Sequence, residues 1–291
     1  MKVLLLGSTG MAGIAFQKSL LARGYSVFGA ARTASDHNCD LTDESQLASV
    51  LKMKNYDAII NSAALVDIDY CEENPIESWK INAKLLSILS NWSQELNTPL
   101  LHISTDHFYT YGGNQPHKEE DPIFCVNEYA RHKFCAEAFA LMSKHCLVLR
   151  TSILGPKSSG GKSLIEWAVD KLLKREPMEL FYDAWTSSLD VNKFADLALK
   201  IFFDKEHRGI VNVAASEVYS KEELIRRIAD MLSISHQHCT SGSIKGQFSS
   251  RPNCLGLDVS KVERLLGESM PKLDDVCSAL IKQLNLNRSM N

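Results

Sequence analysis

VLLLGSTGMAGIAF, residues 3–16, decides how this chain is read. An apolar run ends abruptly at Gly7, further glycines follow at 10 and 13, and a helical period resumes at once. That order is strand, tight turn, helix. Glycines permit the turn and a close backbone approach, while the first turn of the helix offers unpaired N–H groups and a positive dipole end. An anionic dinucleotide linker is the ligand such a turn suits. Gly7, Thr9, Gly10, Met11 and Gly13 are therefore the first candidate cofactor contacts.

Outward from that stretch, short apolar runs alternate with longer amphipathic segments. KVLLL (2–6), SVFGA (26–30), DAIIN (57–61), PLLHIS (99–104) and CLVLR (146–150) read as buried strands. Between them, IAFQKSLLARG (14–24) closes on a glycine C-cap, TDESQLASVLK (42–52) opens with Thr42 as N-cap, and IESWKINAKLLSILSNWSQEL (76–96) reads as one long helix. Such alternation builds a parallel sheet covered on both faces, so a doubly wound α/β Rossmann-type fold is expected.

Beyond about residue 155 the rhythm loosens. SLIEWAVDKLLKR (163–175), VNKFADLALKIFF (191–203), SKEELIRRIADML (220–232), DVSKVERLLG (258–267) and LDDVCSALIKQL (273–284) are helical patterns, with GIVNVA (209–214) as a strand. Ser220 and Glu223 form a capping-box signature. The expected division is a cofactor-binding domain over 1–155 and a smaller mixed α/β substrate lobe over 156–291, from which some segments return to the first domain.

Composition narrows the partners. Formal net charge is −3 over 291 residues, with 45% hydrophobic and 23% charged residues. No basic block is present, which argues against nucleic acid and against a membrane surface. MKVLLLG is too short for a signal segment, and no run approaches the ~20 apolar residues of a membrane span. Eight scattered cysteines, with no CxxC, suit reduced thiols. A cytoplasmic protein is expected.

At the end of the second strand the chain reads AARTAS, with Arg32 where an acid would receive the adenosine 2′-hydroxyl. A guanidinium there pairs with a 2′-phosphate, so NADP is favoured, with NAD as the alternative. A solvent-facing arginine is the plainer reading.

EYARHKF (128–134) sets Tyr129 and Lys133 one helical turn apart. Chance gives such pairs often. Position gives this one weight, because the preceding strand ends in HISTD, with Ser104 and Thr105 at its carboxyl end, where ligands of doubly wound sheets sit. A tyrosine titrates near ~10, and lowering it by about three units takes ~4 kcal/mol. One ammonium at ~4 Å in an effective dielectric of about 20 supplies ~4 kcal/mol. Lys133 is of the right size for that task.

These features together resemble the extended short-chain dehydrogenase/reductase superfamily. Within it, NSAALVDIDYCEENP, ISTDHFYTYGG, EYARHK, RTSILG and RPNCLGLDVSKVERLLG are similar to the dTDP-4-dehydrorhamnose reductase family of nucleotide-sugar reductases. The resemblance implies Thr105, Tyr129 and Lys133 as the catalytic trio, with Lys133 also gripping the cofactor ribose. It places Asp40 and Leu41 near the adenine, and Ala63, Ala64 and Ser104 beside the cofactor. On the substrate side it points to Asp67, Asp106, His107 and Arg251, with Glu72 as a further acid; Asp67 and Glu72 read equally well as solvated loop acids. It also implies a homodimer.

The chain departs from the family pattern at His107, where an aromatic follows STD, at Ile153, where tryptophan is usual, and in YDAWTSSLDV. Those positions border the sugar pocket. Two other roles stay open on the same residues: a cofactor-binding regulatory subunit, like the beta subunit of methionine adenosyltransferase, and a nucleotide-sugar epimerase or dehydratase. GPKSSGGKS (155–163) has five residues between its outer glycines and so fails the P-loop spacing, and SHQHC (235–239) lacks partner ligands at zinc-like spacing; no metal site is expected.

Overall fold

The computed structural model describes residues 1–157, 161–245 and 251–284. Its first part runs β1 (Lys2–Leu6), α1 (Met11–Ala22), β2 (Ser26–Ala31), β3 (His37–Asn38), α2 (Glu44–Lys52), β4 (Ala58–Asn61), α3 (Ile68–Glu73), α4 (Pro75–Trp79) and α5 (Leu85–Leu96). Then come β5 (Leu100–Ile103), α6 (Glu128–Ala140), β6 (Cys146–Arg150), β7 (Ile153–Leu154), α7 (Leu164–Lys174), β8 (Met178–Phe181), β9 (Trp185–Thr186), β10 (Leu189–Asp190) and α8 (Val191–Leu199). The last part is β11 (Gly209–Asn212), β12 (Tyr219–Ser220), α9 (Lys221–Met231), β13 (Cys239–Gly242), β14 (Cys254–Leu255), α10 (Ser260–Leu266) and α11 (Leu273–Gln283).

The chain divides into two compact units. The first holds Met1–Thr105, Cys125–Arg150 and Ala195–Val211; the second holds Asp106–Phe124, Thr151–Phe194 and the described residues from Asn212 on. Chain order and unit membership thus interleave.

The first unit carries a seven-stranded sheet in the order β11-β6-β5-β4-β1-β2-β3. β1 pairs in parallel with β2 and β4, and β4–β5, β5–β6 and β2–β3 are parallel too. The strand order reverses between β1 and β4, which opens a crevice at the carboxyl ends. Near-continuous apolar runs suit strands buried on both faces, and Val3 to Leu6 are all fully buried. Alternate residues Leu4, Leu6, Ile59, Leu100, Cys146 and Val148 share one core with Leu47, Leu51, Leu86, Leu89, Ala136 and Ala140 of α2, α5 and α6. At the carboxyl ends the same pleat turns polar, with Asn61, His102 and Arg150.

Two local expectations change. Asp43, not Thr42, caps α2: its Oδ1 accepts the N–H groups of Ser45 (2.9 Å) and Gln46 (3.2 Å), while Thr42 donates to Asp40. A carboxylate is the stronger acceptor at a helix N-terminus, and the Ser45 hydroxyl beside it holds Asp43 down to about 2. The helix expected over 76–96 is not uniform, because a π turn at Lys80–Lys84 joins α4 to α5. It turns Ser78, Asn82 and Ala83 inward together.

The second unit is built of small sheets: β7 with β10 in parallel, β8 with β13 in parallel, and β9 between β12 and β14. Asn212 ties it inside, donating from Nδ2 to the carbonyls of His117 (2.9 Å) and Asp258 (3.2 Å). The Ser220–Glu223 capping box forms, and an equivalent one joins Ser163 to Glu166. All eight cysteines are free thiols, and among the described residues no helix is long and apolar enough to cross a membrane.

Candidate active site

At the end of β1 the backbone of Gly7 takes φ +76°, and a Cβ there would lie 2.7 Å from the Ala63 nitrogen. Ala63 is thus a wall of the turn, reached only by glycine. At Gly13 a Cβ would lie 2.2 Å from the Gly7 carbonyl, so α1 abuts the turn. Gly10 differs: it is the N-cap of α1, no side chain caps the helix, and the nearest atom to an added Cβ is 3.4 Å away. Protein packing does not demand glycine at this point, whereas close approach by a ligand does. Gly10 offers no side chain to cap the first N–H groups of α1, which fits a pyrophosphate there.

Beside this turn lies a cavity of about 330 Å³ lined by Ser8, Thr9, Gln17, Gly29, Ala34, Ser35 and Asp36. Ser8 and Ser35 share a hydrogen bond of 2.7 Å, and Asp36 accepts the Gly29 N–H at 2.7 Å. Asp36 is an acid that reading only as far as the strand end misses; it lies seven residues past Gly29 in an aperiodic loop. Arg32 is exposed, and its charge reaches the Tyr70 hydroxyl. Asp40 is exposed and orders the turn before α2 through Thr42, Leu41 is buried, and Ala64 is exposed.

Tyr129 and Lys133 lie in the first turns of α6, whose N-cap Asn127 accepts the Ala130 N–H at 2.8 Å. Thr105 lies two residues past the end of β5 and is buried. Tyr129 packs with Ile68, Cys71 and Leu65. Leu65 is itself gripped by Asn82 of the π turn, whose Oδ1 accepts its N–H at 2.9 Å and whose Nδ2 donates to its carbonyl at 2.8 Å. Asn82 therefore backs Tyr129 through one intermediary. The residue is easily missed; its signal is a polar side chain on the apolar side of a long helix.

Lys133 is fully buried, with Nζ donating to the Ile103 carbonyl at 2.6 Å and lying 3.1 Å from His102 Nε2. Burial pulls it down to about 7 from 10.5, against the opposing charge of Glu137. The fixed ammonium expected from sequence is thus a group near balance at neutrality. Glu137 is occupied: it accepts two or more hydrogen bonds from Arg150 (2.7 Å at closest) and one from Ser104 Oγ (2.5 Å). Ser104's hydroxyl is turned into that buried pair. Asp67 caps α3 through the Tyr70 N–H, and Glu72 accepts the first N–H of α6 at 2.6 Å, so both acids serve helix starts.

The second unit has its own charged cluster. His107 lies 4.0 Å from Asp106 and is held down to about 3, by burial first and then by Lys221 and Arg251. Lys221 is lowered by burial and by Arg251, and Asp106 acts the other way. Lys221 was not among the sequence candidates. Its signal is a cation at the first position of α9, where the helix dipole disfavours positive charge. In SHQHC, His236 is held between Asp230 (2.9 Å) and Arg226 (2.8 Å). Residues 158–160 of GPKSSGGKS lie outside the described residues.

The chain is similar to several known proteins. A probable low-salt glycan biosynthesis reductase, Agl14, of Haloferax volcanii is 25% identical over 287 residues, covering 94% of this chain and 95% of the relative. A hypothetical dTDP-4-dehydrorhamnose reductase from Sulfolobus tokodaii superposes with a TM-score of 0.83 at 26% identity, covering 94% of this chain and 99% of that one. The dTDP-4-dehydrorhamnose reductase of Bacillus anthracis in complex with NADP has the same fold, at a TM-score of 0.85, 21% identity and coverages of 97% and 98%. The family model described as RmlD substrate binding domain matches residues 1–286. The chain belongs to that family.

Proposed function

We propose that this chain is an NADPH-dependent reductase of a 4-keto nucleotide-sugar, similar to dTDP-4-dehydrorhamnose reductase. The observation that carries the reading is that Thr105, Tyr129 and Lys133 share one unit with the glycine turn, at the carboxyl ends of a single parallel sheet. The NADP in the Bacillus anthracis structure and the reductase description of the Haloferax relative support it.

The glycine turn and the first N–H groups of α1 hold the pyrophosphate, and Arg32 meets the 2′-phosphate. When bound, the nicotinamide supplies the hydride. Thr105 donates a hydrogen bond to the substrate carbonyl oxygen and Tyr129 gives that oxygen its phenolic proton, so the ketone leaves as an alcohol and the phenolate is re-protonated from solvent. Lys133 lies one turn along α6 and adjusts the phenol's acidity. Lys221, Arg251 and the neutral His107 of the second unit suit the charged linker and polar groups of a sugar nucleotide, with Asp106 as a further polar partner. The family resemblance favours a homodimer in the cytoplasm.

Tyr129→Phe is the decisive variant. Loss of a general acid costs about 10²–10⁴-fold in turnover, so NADPH oxidation with dTDP-4-keto-6-deoxy sugars should collapse while NADPH affinity stays within about threefold. Undiminished turnover would refute the assignment. Net consumption of NADPH separates the reaction from epimerase or dehydratase chemistry, which returns the hydride.

A further inference from the structure

The π turn is tied to α6 by a buried polar line that no step of the reaction uses. Its members are Ser78 of α4, Asn82 of the π turn and His132 of α6, none above 7% exposed. Asn82 Nδ2 lies 3.1 Å from Ser78 Oγ, Ser78 Oγ lies 2.9 Å from His132 Nδ1, and His132 Nε2 lies 3.3 Å from Glu128 Oε2. Trp79 stands edge-on to the histidine, ring centroids 5.5 Å apart.

Each bond has a sense, set from the two ends inward. The Leu65 backbone N–H can only donate, so Asn82 meets it with Oδ1 and carries its NH₂ on the other side. One of those hydrogens goes to the Leu65 carbonyl and the second to Ser78 Oγ. At the far end Arg131 holds the Glu128 carboxyl below the usual carboxylate range, so Glu128 is ionised and can only accept. His132 Nε2 therefore carries a hydrogen. In the neutral ring Nδ1 is then bare and receives the Ser78 hydroxyl proton, and every donor in the line has an acceptor. A second proton on His132 would set N–H against a hydroxyl that already accepts from Asn82, and the Ser78 hydrogen would lose its ring nitrogen. The Cys71 sulfur beside Ser78 is a weak substitute, because burial keeps it a protonated thiol.

We propose that the Ser78–His132 bond is a positioning contact that seats α6 on the π turn, with the neutral, Nε2-protonated ring as its working form and acid as its release. Two routes lead from it to Tyr129. His132 follows Tyr129 by three residues on the same helix. Asn82, whose amide the line orients, grips Leu65, which packs against the cluster of Ile68, Cys71 and Tyr129. The groups around the ring pull both ways: burial lowers its affinity for protons most and Arg131 adds to that, while Glu128 and Glu72 of α3 oppose. His132 thus takes its second proton below the ordinary histidine value of 6.5, and the line is intact at neutral pH. Ser78 and His132 are positioning residues, acting through α6 and Asn82. Their effect on turnover rests on the reductase reading; the contact itself does not.

The test uses the full chain labelled with ¹⁵N-histidine, read by long-range ¹H–¹⁵N NMR from pH 5 to pH 8, with His132→Asn to assign the signal. The expected spectrum at pH 8 shows His132 protonated at Nε2 and bare at Nδ1, with a titration below 6.5. A neutral ring protonated at Nδ1, or a titration above that value, overturns the proposal. His132→Leu removes the acceptor, and loss of one buried hydrogen bond should lower kcat roughly threefold to tenfold while NADPH affinity stays within about twofold. Ser78→Ala deletes the same bond from its other end and reads the same loss if His132→Leu does not fold. His132→Asn returns an oxygen near the place of Nδ1 and takes up no proton, so it should recover kcat at pH 8 and decline less than the parent in acid. Parent-like kcat in both deletion variants, or an acid limb identical in parent and His132→Asn, overturns the positioning role. A protein that reduces no keto-sugar yet shows the expected tautomer refutes the function and leaves the contact standing; an active protein with the other tautomer does the reverse.

Discussion

Asn82 grips Leu65 at both polar groups of one residue, accepting its N–H at 2.9 Å and donating to its carbonyl at 2.8 Å. Leu65 in turn packs against the cluster of Ile68, Cys71 and Tyr129, so a helix irregularity and the proposed proton donor are joined across one loop. Asn82→Ala strands both backbone groups, and buried groups left unmatched cost about 1–3 kcal/mol each. The denaturation midpoint should fall with an unchanged slope, and turnover should fall more than NADPH affinity. Equal losses in both would place Asn82 outside the positioning of Tyr129.

The glycines of the first turn make separable predictions. Gly13→Ala drives a methyl onto the Gly7 carbonyl, and overpacking of this kind costs typically 1–3 kcal/mol, so urea melts should reveal it without ligand. Gly10→Ala meets no protein atom closer than 3.4 Å and should melt like the parent. It should nevertheless bind NADPH at least roughly tenfold more weakly, as a loss of about 1.4 kcal/mol in ligand contact requires. Fluorescence titration reads the affinity.

Arg32→Ala tests the coenzyme. A charge-assisted hydrogen bond is worth about 1.5–3 kcal/mol, so NADPH affinity should drop by roughly tenfold or more while NADH affinity stays nearly constant. Parallel losses for both coenzymes would mean that Arg32 does not read the 2′-phosphate.

Lys133 should leave a mark on stability against pH. Its affinity for protons is depressed in the fold, from 10.5 to about 7, so between those values the unfolded chain binds more protons and this group makes stability rise with pH. The cost of burying the charge is full below about pH 7 and absent above the unfolded value. Lys133→Met should therefore flatten the pH dependence between pH 7 and 10, read as the difference between the two proteins' melting curves. Identical pH slopes would contradict the depressed value.

Much of the frame was legible because strands buried on both faces write themselves as unbroken apolar runs. KVLLL, DAIIN and CLVLR needed nothing else, and the parallel pairing followed from the helices between them. Tyr129 and Lys133 were legible as a spacing, on a helix that begins at Glu128. His102 was not: a histidine inside PLLHIS gains meaning only when register sets it against Asn61 and α6 delivers Lys133. The π turn was hidden for a related reason, since one inserted residue scarcely disturbs the apolar period of IESWKINAKLLSILSNWSQEL. Thr42 and Asp43 were adjacent cap candidates, and carboxylate geometry decided between them. Lys221 broke a dipole rule, yet the capping box around it drew the eye to Ser220 and Glu223 instead.

The interleaving of the two units also bears on how the polypeptide comes off the ribosome. Domains commonly mature in turn as they emerge. Here the first unit is missing its last segment until Val211 has been made, by which time Asp106–Phe124 and Thr151–Phe194 of the second have already been synthesised. Neither unit can be cut out as one uninterrupted gene fragment. A nonsense codon anywhere before Val211 leaves both unfinished, so shortened products should be cleared by proteolysis rather than persist as half-proteins.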